Sequence, residues 1–124
     1  MQHIITACLL TVGAIHLLPA VGMFGANRLS ALYGIVVAEP GLELLLRHRA
    51  ALFGLIGVFC IVAAFVPSLQ SAALAAGAVS VLSFLLLAQR IDGLNSQLRR
   101  VVAVDIVAAA LLAAGVGARS WQAL

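Results

Sequence analysis

Apolar residues fill this chain in four long blocks, and the charged residues cluster between those blocks or at their edges. The blocks run about from Ile4 to Phe24, Ala50 to Val66, Leu69 to Ala88 and Leu98 to Ala118. Each approaches the roughly 20 residues an α-helix needs to cross the hydrocarbon of a bilayer. None shows the period-two polarity of a transmembrane strand, so the pattern predicts helices and not a barrel. Only Asp105 places an acid well inside a block.

Turn and cap residues set the boundaries. Pro19 predicts a kink or local break late in the first span. Glu39-Pro40-Gly41 marks the start of a longer helix, with Pro40 suited to its first turn. That helix is read as an interfacial amphipathic section over about 40–49, followed by the second span and a stop before Pro67. Pro67-Ser68 alone links spans two and three. Asn95 or Ser96 caps the fourth. The segment Leu29 to Val37 is apolar but too short to cross; it reads as a short interfacial or re-entrant helix or a folded-back loop, with Tyr33 at headgroup level. The fold class predicted is an all-α membrane protein, a four-transmembrane-helix bundle forming one domain over 1–124.

Composition sharpens this reading. Of 124 residues, 65% are hydrophobic and 9% charged, and the mean hydropathy is +1.21. A water-soluble domain of this size exposes most of its surface and needs more charge to cover it. The formal charge of +3 comes from seven basic residues, all Arg, against four acids. Six of these, Arg28, Arg47, Arg49, Arg90, Arg99 and Arg100, fall in the first and third connections, against Arg119 alone on the other side. The positive-inside rule then places the charged loops in the cytoplasm and both termini outside, in a bacterial inner membrane. No nucleic-acid motif accompanies the positive charge, and no nucleic-acid partner is expected. The run Ile5-Thr6-Ala7-Cys8 resembles a lipoprotein box but lacks the basic and apolar regions that precede one, so the first block is read as a retained helix.

Small residues recur at four-residue steps: Ala72, Ala76 and Ser80; Ala73 and Gly77; Ala110 and Ala114. Such faces let helices approach closely, within one monomer or across a homo-oligomer seam. Cys8 and Cys60 are read as free packed thiols. No His, Cys and acid spacing forms a metal site, and no cofactor is implied.

The polar residues near one membrane boundary are the candidate site. Asp105 lies about two turns inside the fourth span, where a carboxylate needs a partner. Arg47 and Arg49 reach that depth by their long stems. A structural ion pair or N-terminal helix lock is the plainer reading of Asp105; a proton-handling or substrate-contacting acid and a neutral, merely hydrogen-bonded Asp are the alternatives. His16 could share its depth, as a satisfied core histidine or a ligand contact. His48 sits between two Arg. Glu39, Glu43 and Arg47 step by four along one face, which is ordinary helix stabilisation near a positive helix end. Asn27, Arg90, Asp92 and Asn95 complete a cluster able to bind an anionic head group or polarise a carbonyl.

The stretches Ile15-His16-Leu17-Leu18-Pro19, Leu32-Tyr33-Gly34-Ile35, Arg47-His48-Arg49-Ala50, Leu52-Phe53-Gly54 and Ser83-Phe84-Leu85-Leu86 resemble a group of small bacterial four-helix integral membrane proteins. The resemblance covers nearly the whole chain and implies the same fold. Some of that group bear the name phosphopantetheine adenylyltransferase, a soluble α/β enzyme with an HxGH-type motif; this chain has neither the motif nor room for the sheet. The resemblance therefore carries over no catalytic residues. A looser similarity of architecture links the chain to four-helix sterol- or quinone-associated bundles.

These observations lead to an expected function: binding a lipid, quinone, other amphipathic ligand or partner helix near the cytoplasmic leaflet. A membrane-embedded isomerase or hydrolase-like enzyme is the first alternative, although no nucleophile and base stand out along the chain. A small oligomeric proton-coupled transporter is the second.

Overall fold

A computed structural model describes all 124 residues. Five α-helices and two 3-10 turns make up the chain, with no strand. Helix α1 (Gln2–Ala20) passes into the turn Val21–Phe24; α2 (Ala26–Tyr33) is short; α3 (Pro40–Phe65), the turn Pro67–Leu69, α4 (Gln70–Ala88) and α5 (Ser96–Gln122) complete the order. Pro19 does not break α1; it sits in the last turn, after which the backbone tightens to 3-10.

Four segments are long and apolar enough to cross a membrane: Gln2–Phe24, Pro40–Phe65, Pro67–Ala88 and Ser96–Gln122. Helix α3 is continuous, so the section over 40–49 and the second span are one rod. At 1.5 Å per residue, α3 and α5 are each about 40 Å long, which exceeds the roughly 30 Å hydrocarbon core. Both start at the Arg-rich end of the bundle.

The four long helices alternate in direction. Helix α1 packs on α3 and α5, and α4 closes the ring between those two. The core joins Ile5, Leu9 and Val12 of α1 to Cys60 and Ala63 of α3, Ala73 and Leu74 of α4, and Ala108 and Leu112 of α5. Many of these side chains are small, as expected where helices associate by close van der Waals contact and not by escape from water. Helices α1 and α3 approach closely at Gly13 and Gly57. A Cβ on either would come within 2.9 Å of the other's carbonyl oxygen. Of the small-residue faces, Ala73 and Gly77 turn inward, whereas Ala110 and Ala114 lie on the outer surface. That surface is apolar: Leu55, Phe65, Val79, Leu86 and Val107 are each more than half exposed.

Cys8 and Cys60 are buried free thiols, and Cys8 Sγ donates to the Leu111 carbonyl at 2.9 Å. At the end away from the Arg cluster, the Gln70 side chain is fully buried with neither amide atom hydrogen-bonded within the chain.

Residues 29–37 form no span. Helix α2 ends at Gly34, whose φ of 64° is left-handed, the conformation that favours glycine at a helix C-terminus. Leu29, Tyr33 and Val37 make a second small core with Leu46 of α3 and Leu98 and Val101 of α5. The segment is thereby seated across one end of the bundle, with Tyr33 buried.

Candidate functional site

Between α2 and the ends of α1, α3 and α5 lies a cavity of about 280 Å³. Its existence follows from local sequence. Asn95 caps α5 by accepting from the Leu98 amide at 2.8 Å. The same side chain donates to the Tyr33 carbonyl at 2.8 Å and the Gly34 carbonyl at 3.1 Å. One amide thus ties the end of α2 to the start of α5 and holds α2 over the bundle mouth.

Six polar or charged side chains face the cavity: His16, Tyr33, Arg49, Gln97, Arg100 and Asp105. Apolar walls come from Ile15, Leu18, Leu32, Phe53, Val101 and Val104 among others. Arg49 and Asp105 each lie nine residues into their helices, or about 14 Å along the axis, so the two reach a common depth.

Arg49 is held by aromatic rings. Its guanidinium carbon lies 4.6 Å from the Phe53 ring centre, 5.4 Å from Tyr33 and 5.7 Å from Phe84, within cation–π range of each. Its Nη1 donates to the Tyr33 hydroxyl at 2.9 Å. The ion pair expected between Asp105 and Arg47 or Arg49 does not form, since the only ion pair within 4.0 Å is Arg47–Glu43, at 3.3 Å. Arg47 turns away from the cavity and donates its Nε to the Met23 carbonyl at 2.9 Å. That bond satisfies a carbonyl in the turn after α1 and accounts for the orientation.

His16 is buried, and both ring nitrogens are engaged. Nδ1 lies 2.9 Å from the Val12 carbonyl and Nε2 lies 3.0 Å from Ser80 Oγ. A carbonyl only accepts, so Nδ1 carries the proton and, in the neutral ring, Nε2 accepts from the Ser80 hydroxyl. The contact joins α1 to α4, which are diagonal in the ring.

Of the residues singled out in the sequence, Asp105, Arg49 and His16 share the cavity, and Asn95 builds its rim. The others do not converge on it. Glu39 caps α3, accepting from the Gly41 and Leu42 amides at 2.8 and 2.7 Å. These bonds hold its carboxyl below the usual Glu range. Glu43 pairs with Arg47 on the α3 surface. His48, Asn27, Arg90 and Asp92 are exposed and form no ion pair. Tyr33, Gln97, Arg100 and Ser80 are the contributors that sequence reasoning misses. One signal was available on α5: Gln97, Val101 and Asp105 step by four, as do Arg100 and Val104, which marks one polar-lined helix face.

A second depression, a groove of about 550 Å³, runs between α3 and α4. Leu52, Ile56 and Val79 wall it, with Ala75, Ala76 and Ser80 on its α4 side. Arg49 and Phe53 line both the groove and the cavity.

Four apolar helices of spanning length define a multi-pass α-helical membrane protein, with a polar cavity at the Arg-rich end of its bundle. No protein family, no curated protein and no solved structure matches the chain.

Proposed function

We propose that the protein binds the polar head of an amphipathic molecule, such as a lipid or quinone, taken from the cytoplasmic leaflet of a bacterial inner membrane. One observation carries this reading: a half-apolar cavity holds converging polar groups from four helices at the Arg-rich end of the bundle. Binding sites for small amphipathic ligands have this composition, with apolar walls and a few placed polar groups. The Arg-rich end faces the cytoplasm by the positive-inside rule, which puts the cavity mouth at the inner headgroup layer. Asp105 has no protein partner, so its carboxyl is available to a ligand.

The test is native mass spectrometry of protein extracted in its own lipids, beside Val104→Trp, which fills the cavity from α5. A defined small molecule on the wild type and absent from the variant, with both folded, is expected. Equal loading of the two, or none on either, would overturn the reading.

A second reading, a membrane-embedded hydrolase, is favoured by the Ser80–His16 geometry. A hydroxyl 3.0 Å from an imidazole whose other nitrogen is held by a carbonyl has the spacing of a nucleophile and its base. Labelling of Ser80 by a fluorophosphonate, lost in His16→Asn, would support it. An unlabelled folded protein would leave the pair as an interhelix lock.

A further inference from the structure

We propose that the ligand is a single-chain lipid carboxylate, its head group on Arg49 and its hydrocarbon chain in the α3–α4 groove. The inference rests on the binding reading above and names the chemistry of its ligand.

Arg49 is the residue at which cavity and groove meet. A guanidinium carries five N–H donors, and the side-chain bond made here is the one from Nη1 to Tyr33. No acid pairs with it. The aromatic rings hold its plane in place without consuming donors, so a forked edge remains for an anion. Planar carboxylates match that fork, and preorganised guanidinium loses little freedom in taking them.

Charge sets the class further. Arg49 and the exposed Arg100 face the cavity against the carboxyl of Asp105 alone. A carboxylate brings a single negative charge into the space that Asp105 shares. A phosphate monoester carries about −1.5 to −2 at neutral pH and would crowd the Asp105 carboxyl with more negative charge.

The groove sets the tail. Its walls are aliphatic, and Val79 and Leu52 are 70% and 46% exposed on the outer face of the bundle. Ala75 and Ala76 leave a trough where larger side chains would close it. The trough is one channel between two helices and it begins at Arg49, so a chain attached to an anion on Arg49 lies directly along it. A lipid with two chains has a place for one.

The test is equilibrium binding of radiolabelled palmitate to the intact protein in detergent, with hexadecanol and hexadecyl phosphate as competitors. Palmitate is expected to bind at least tenfold more tightly than hexadecanol. Arg49→Gln should erase that preference, and Arg49→Lys, which keeps the charge but not the fork, should retain part of it. Ala76→Phe, which fills the groove and leaves Arg49 in place, should weaken palmitate and hexadecanol alike. Palmitate binding undiminished in folded Ala76→Phe, or hexadecyl phosphate tighter than palmitate, would overturn the assignment. If palmitate fails to bind while a neutral short-chain quinone binds and is excluded by Val104→Trp, the carboxylate inference falls and the cavity reading stands. If neither binds, both fall.

Discussion

Arg49 and Asp105 stand at the same depth on parallel helices and face one cavity, yet they form no ion pair. Arg49 is committed to three aromatic rings and the Tyr33 hydroxyl. The two charges are arranged around a shared space and not against each other. Removing one partner of a buried pair costs roughly 3–5 kcal/mol, because the other charge is stranded. Asp105→Asn should therefore cost much less than that in a denaturation series in detergent, and its ligand load should change. A loss of the full magnitude would mean that Asp105 is chiefly a structural counter-charge.

The Gly13–Gly57 contact supports a sharper prediction. Replacing Gly57 by Ala would put a methyl 2.9 Å from the Gly13 carbonyl oxygen and 2.9 Å from Leu17 Cγ. Backbone on one side cannot swing away, so α1 and α3 must separate. Overpacking of this kind costs about 1–3 kcal/mol. Gly117→Ala meets nothing within 4 Å and gains up to about 1 kcal/mol of helix propensity. Both variants receive the same propensity gain, so the difference in their melting temperatures isolates the clash. Equal melting temperatures would show that α1 and α3 adjust freely.

The spans were legible because a bilayer demands long apolar runs, and those runs stand out in any window of the sequence. Depth was legible too: counting from Pro40 and Ser96 brings Arg49 and Asp105 to one level. Direction around each helix was not. In a soluble bundle the polar face marks the outside, but here lipid and core are both apolar and leave little periodicity to read. Arg47 and Arg49 are two residues apart, yet one turns to the Met23 carbonyl and the other into the bundle. Ser80 and His16 are 64 positions apart and meet only through packing of diagonal helices. Residues 29–37 were ambiguous because their burial depends on Leu46, Leu98 and Val101, which lie on other helices.

Gly34 tests how firmly α2 must be held. Its φ of 64° costs an L-residue roughly 1–2 kcal/mol. A Cβ there would also lie 2.7 Å from Gln97 Cδ. Gly34→Ala should lower stability by at least the conformational cost and push Gln97, a cavity side chain, out of place. The expected result is a lower melting temperature together with weaker ligand retention. Unchanged retention in a destabilised variant would separate α2 from the site.

Glu39 gives the bundle a pH dependence whose sign is fixed. Two amides hold its carboxyl below the ordinary Glu value in the folded state. A depressed folded pKa means that the carboxylate's contribution is present above the unfolded pKa and lost as pH falls through the folded one. Stability should thus decline on acidification below the ordinary Glu pKa of about 4.3. Glu39→Gln keeps a neutral acceptor for the cap but no charge at the helix N-terminus. It should be less stable than wild type at pH 7 and equal to it once Glu39 is protonated. Glu39→Ala lacks the acceptor and should lie below both at every pH. Thermal melts of the three proteins from pH 7 to pH 3 provide the check. Parallel curves for wild type and Glu39→Gln would show that the charge on this cap contributes nothing to the anchoring of α3.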